Sequence, residues 1–98
     1  MTKGYKLFLQ ETNGVGQDFM NTVIKSSESS ALDRKTQELV YIAVLTALRM
    51  TGGIDFHVKS AKELGATKEE VKSAVLVALP AVGIGILDAL EATLNSYD

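Results

Sequence analysis

One histidine, His57, and one carboxylate nineteen residues before it, Glu38, are the candidates for proton transfer in this chain. Imidazole is the side chain that titrates nearest neutrality, so a lone histidine just past a Gly-Gly break is first weighed as a general base or acid. His57 falls in the first turn of an expected helix, where the positive end of the helix dipole favours a neutral, base-competent ring; Asp55 acts in the opposite sense. The same histidine can instead be a packing group bonded to a backbone carbonyl or a carboxylate. Glu38 is followed directly by Leu39 and Val40. A carboxylate bordering a buried stretch loses solvation and can share a proton. It can equally sit on a wet edge of its helix and pair with Arg34 at i−4.

Other chemistry is thinly represented. The 98 residues contain no cysteine, which excludes disulfides, thiolate metal ligands and thiol nucleophiles from this sequence. With a single histidine as well, no metal site is expected on ligand count. The stretch G-V-G-Q-D-F lacks the third glycine of a dinucleotide loop and follows no strand, and no P-loop, HExxH, EF-hand or nucleophile-elbow pattern occurs. No cofactor is expected. Ten basic against twelve acidic residues give a net charge of −2, which draws neither nucleic acid nor an anionic membrane.

The stretch MTKGYKLFLQETNG has no long apolar run of the signal-peptide kind. The longest apolar run, Ala74 to Leu87, has 14 residues and contains Pro80, too short to span a bilayer. The expected setting is cytoplasmic.

The elements that must position Glu38 and His57 read as helices. The chain has one proline and few alternating β-rich runs, and a single domain over residues 1–98 is expected. A short helix is expected over 4–11, with Tyr5, Leu7, Phe8 and Leu9 inward, and a second over about 15–26. The polar SSESSA stretch reads as a loop. Ser30 can then cap a helix over Asp33–Met50, with Asp33 in its first turn. From Leu39 onward that helix is apolar nearly all round, so it must be buried all round: by self-association, as a fully surrounded central helix, or by both. After the Thr51-Gly52-Gly53 break, a helix is expected over about 54–64 with Gly65 as its left-handed C-cap. Thr67 and Glu70 form a capping box for the next, which runs to about Leu79. Pro80 interrupts, and a last helix is expected over about 81–94, with Gly83 and Gly85 permitting close backbone approach.

The stretch LDRKTQELVYIAVLTALRMTGGIDFHVKSAKELGATKEEVKSAVLVAL resembles the carboxymuconolactone decarboxylase family, which includes the AhpD-type alkylhydroperoxidases. Leu32-Asp33, Lys35 and Glu38-Leu39 match the family's L-D-x-K-x-x-E-L segment. Gly65-Ala66-Thr67 and Glu69-Glu70-Val71 match its G-A-T-x-E-E-I capping box. Redox members have eleven residues between the Glu and a first cysteine, two between that and a second, and three between the second and a His. Here those positions hold Met50, Gly53 and His57, so Glu and His stand at the family spacing and both thiols are absent. Further on, AVGIGILDAL stands where many members have Gly-x-Pro-Ala…Asn-Ala, with Asp88-Ala89 in place of Asn-Ala.

The resemblance implies an all-α, AhpD-like fold of about five to six helices, and a homo-oligomer, commonly a trimer or a hexamer. It removes thiol peroxidase chemistry from this chain. It leaves open the decarboxylase type of reaction: cofactor-free acid–base chemistry on a small carboxylated lactone or organic acid, with Glu38 and His57 as catalytic residues. Backbone amides near Gly53–Asp55 could then face the substrate's anionic group. The alternative is a family scaffold without its redox site that binds a small ligand or only assembles.

Overall fold

Apolar residues recurring every three to four positions fold this chain into helices. The computed structural model describes residues 2–98 and contains no strand among them, so the fold is all-α as the sequence predicts. Two compact units form, residues up to 33 and residues 34–98.

The first unit is a helical hairpin of α1 (Lys3–Gln10) and α2 (Val15–Glu28). Thr2 caps α1 by accepting from the Tyr5 N–H at 3.2 Å. Asn13 and Gly14, both at positive φ, make the turn. Phe8 meets Tyr5 and Phe19 edge to face. Gly16 lies so close to α1 that a β-carbon there would collide with the Phe8 carbonyl. Leu7, expected inward, is exposed, because α1 turns Phe8 and Leu9 toward α2 instead. Residues 26–28 of the expected SSESSA loop continue α2 for a further turn.

The second unit holds α3 (Arg34–Ala47), α4 (Ile54–Glu63), α5 (Lys68–Val77), α6 (Leu79–Val82) and α7 (Leu87–Tyr97), with 3-10 turns at Thr51–Gly53 and Gly83–Ile86. α4 packs on α3 and α7, and α5 packs on the same two helices. Ile42, Leu45, Ile54, Val58, Val75 and Ile86 form the centre of the core.

Three expected boundaries shift. Ser30 does not cap α3; its hydroxyl accepts from the Leu32 N–H at 3.0 Å, and Asp33 lies just outside the helix. α3 ends at Ala47 rather than Met50. There Arg49 takes the left-handed conformation with φ 59°, its N–H donating to Thr46 O at 3.1 Å, while the Met50 N–H donates to Leu45 O at 2.9 Å. This is the Schellman arrangement with arginine where glycine is usual. A non-glycine residue in that conformation costs about 1–2 kcal/mol. Gly65 performs the same role after α4 at φ 97°, with Ala66 N–H donating to Ala61 O, as expected.

Between α5 and α7 the chain makes α6, reverses backbone sign at Gly83 (φ 71°) and passes through a 3-10 turn, so the last helix begins at Leu87 instead of about 81. Gly85 is approached by the Arg49 guanidinium rather than by backbone. By length and composition, Lys68–Tyr97 is apolar enough to cross a membrane, with a window of mean hydropathy 2.1. In the fold it is bent, and α7 returns to pack on α5.

The capping box of α5 forms as expected. Thr67 Oγ1 accepts from the Glu70 N–H at 3.1 Å, and Glu70 accepts from the Thr67 N–H at 3.0 Å. Lys35 adds an ion pair to Glu70 at 3.0 Å, tying the start of α3 to the start of α5. The Thr67 backbone bond, then Lys35, hold the Glu70 carboxyl below the usual carboxylate range. A group depressed in the folded state stabilises above its unfolded pKa, and that contribution fades as pH falls through the folded value. Thr67→Ala should therefore cost about 1 kcal/mol in urea unfolding at neutral pH. The cap's contribution should shrink on acidification below the ordinary glutamate range. An unchanged midpoint at neutral pH would show that the box does not hold the helix.

Candidate active site

Glu38 lies in the second turn of α3 and His57 in the first turn of α4. Along a straight helix Glu38 and Met50 would be about 18 Å apart, so their spacing alone does not bring Glu38 to His57. The reversal at Arg49 does. Met50 bonds back to Leu45, and a β-carbon built on Gly53 would lie 3.5 Å from Leu45 Cδ1. The connector thus runs back over the last turn of α3, and α4 starts beside the middle of that helix. His57 Nδ1 then lies 2.7 Å from Glu38 Oε2.

A carboxylate can only accept, so Nδ1–H is the donor, and in the neutral ring the lone pair is left on Nε2. No group among the described residues bonds Nε2. The pair is partly buried: the side chains retain 24% exposure for His57 and 16% for Glu38. The pair is thus neither sealed from solvent nor fully wet, and partial burial strengthens the hydrogen bond. Glu38 therefore turns to His57 and not to Arg34. The sequence comparison identified both members of the pair; the structure supplies the contact.

Sequence reasoning missed the surroundings of the ring. Tyr41 meets His57 edge to face at 4.4 Å between centroids, and Phe56 does so at 5.1 Å. Tyr41 stands three residues after Glu38 and hence on the same helix face, the one signal that could have found it. A β-carbon on Gly53, the second vacated thiol position, would lie 3.9 Å from His57 Cδ2, so that position faces the imidazole. Asp55 is not a competitor for His57. It is exposed and pairs with Lys59 at 3.0 Å, whose ammonium holds its carboxyl below the usual range.

An open apolar groove of about 450 Å³ lies elsewhere, between α3 and α5, lined by residues including Leu39, Ala43, Ala74 and Val77. Neither Glu38 nor His57 lines it. The site is placed at the Glu–His pair because it holds the chain's single histidine against a carboxylate; the groove offers mainly apolar surface. Among the described residues no cluster of three or more His, Asp or Glu side chains could hold a metal ion.

The chain matches the family model of the carboxymuconolactone decarboxylase family over residues 17–95. It is 32% identical over 74 residues to "Uncharacterized protein 4 in cox locus" of Paracoccus denitrificans, a match covering 71% of this chain and 67% of that protein. No solved structure matches it.

Proposed function

This chain belongs to the carboxymuconolactone decarboxylase family, and from that premise we propose that it is a cofactor-free acid–base lyase or isomerase acting on a small carboxylated lactone or organic acid. The observation that carries the reading is the 2.7 Å bond from His57 Nδ1 to Glu38, which leaves Nε2 without a partner among the described residues. Glu38 fixes the tautomer and stabilises the imidazolium that forms when Nε2 takes a proton. In an isomerisation, Nε2 removes a proton from one carbon and returns it to another. In a decarboxylation, the bond to the carboxylate carbon breaks, its electron pair moves into the conjugated lactone, and imidazolium Nε2–H protonates the resulting carbanion. Thiol chemistry has no place, since the chain has no cysteine.

The experiment is turnover of a panel of small carboxylated lactones, followed by loss of substrate absorbance and release of carbon dioxide, with wild type set against a His57 variant. A ligand-binding scaffold is the second reading, favoured by the apolar groove lying away from the pair; it predicts binding without turnover.

The protein is further proposed to act as a homo-oligomer, a trimer or hexamer, in the cytoplasm. Val40 and Val44 on one face of α3, and Leu48 just past its end, are exposed, which supports self-association. The alternative of a central helix surrounded within one chain does not fit that exposure. Solution mass should be a multiple of the 10.5 kDa chain; a clean monomer would overturn the assembly.

A further inference from the structure

The two rings against His57 are themselves open, Tyr41 46% and Phe56 53% exposed. Both are set by the elements that set the proton-transfer pair: Tyr41 by α3, one turn past Glu38, and Phe56 by α4, immediately before His57. The result is exposed aromatic surface against an imidazole whose Nε2 has no partner among the described residues. Aromatic side chains attract other π systems beyond what burial alone provides, through offset or edge-to-face contact, and a saturated ring has no π face or edge quadrupole to offer. With only two side-chain torsions each, they also present that surface at small entropic cost.

We propose that Tyr41 and Phe56 are specificity-determining residues that make the His57 site select a flat, π-conjugated carboxylate over a saturated carboxylate of the same size. This rests on the acid–base reading of the Glu38–His57 pair and names the class of acid it takes. Neither residue exchanges a proton; both act by contact with the ring of the bound acid.

The chain's single histidine gives one imidazole Cε1–H resonance, which reports directly on this site. The full-length protein is titrated at neutral pH with benzoate and, separately, with cyclohexanecarboxylate. Both are ionised, similar in size and comparable in apolar area, so burial alone does not favour the flat acid. Benzoate is expected to bind about three- to tenfold more tightly, the range that an aromatic pair contributes. Tyr41→Leu and Phe56→Leu should each bring the two affinities closer together, and Tyr41→Phe should keep the preference. Equal affinities in the wild type would overturn the proposal while leaving a carboxylate site at His57 standing. So would leucine variants that keep the full preference, or loss of the preference in Tyr41→Phe. If neither acid moves the resonance, both the proposal and the carboxylate reading fail. Should a leucine variant misfold by circular dichroism, the wild-type comparison and Tyr41→Phe still decide.

Discussion

His57→Ala is expected to lower turnover of a carboxylated lactone by about 10²- to 10⁴-fold, the usual contribution of a positioned general acid or base. The helical content and the solution mass should not change. His57 is partly exposed and lies at the start of α4 rather than in the core, so its loss leaves no buried cavity. Its hydrogen bond to Glu38 is the contact that disappears, and Glu38 retains enough exposure to be solvated in its place. His57→Asn separates proton transfer from hydrogen bonding, because an amide N–H can still donate toward Glu38 but cannot carry a proton at neutral pH. Both variants should be inactive by similar factors. Wild-type turnover in His57→Ala would remove the catalytic assignment; activity in His57→Asn alone would reduce His57 to a residue that holds Glu38 in place.

Ile42→Ala should produce the largest loss of stability, about 2–5 kcal/mol in urea unfolding. Ile42 has no exposed surface and lies on α3 one turn past Glu38, against the core formed with Leu45, Ile54, Val58 and Ile86. Removing its three outer carbons leaves a void among side chains that α4 and α7 hold in place, and such a loss is a large part of a total stability of about 5–15 kcal/mol. Ile42→Val should cost only about 0.5–1.5 kcal/mol, giving a graded series. Val40→Ala on the exposed face of the same helix should cost about 0.5 kcal/mol or less in a dilute monomer. A cost below about 1 kcal/mol for Ile42→Ala would contradict its place at the centre of the core.

Much of the fold was readable because its signals are local. The capping box at Thr67 and Glu70 and the left-handed Gly65 are hydrogen-bond patterns closed within six residues, so residue types suffice to announce them. The end of α3 was not readable for the converse reason. The left-handed position there is held by Arg49, a residue type that ordinarily continues a helix, and the expected helix overran it to Met50. Between α5 and α7 Pro80 announced the interruption, but the late start of the last helix at Leu87 was not readable, because it depends on Gly83 reversing its backbone within an apolar run.

For the site, the sequence determined the members. Glu38 and His57 stand at the family spacing with no thiol between them, which excludes cysteine redox chemistry. Tertiary structure alone decided that they touch, which nitrogen is engaged, and that Tyr41 and Phe56 lie against the ring. The physical reason is that side-chain identity sets what chemistry a residue can do, whereas contact across nineteen residues depends on a chain reversal. Here the left-handed Arg49 and the turn at Thr51–Gly53 carry the chain back so that His57 meets Glu38 in a direct hydrogen bond.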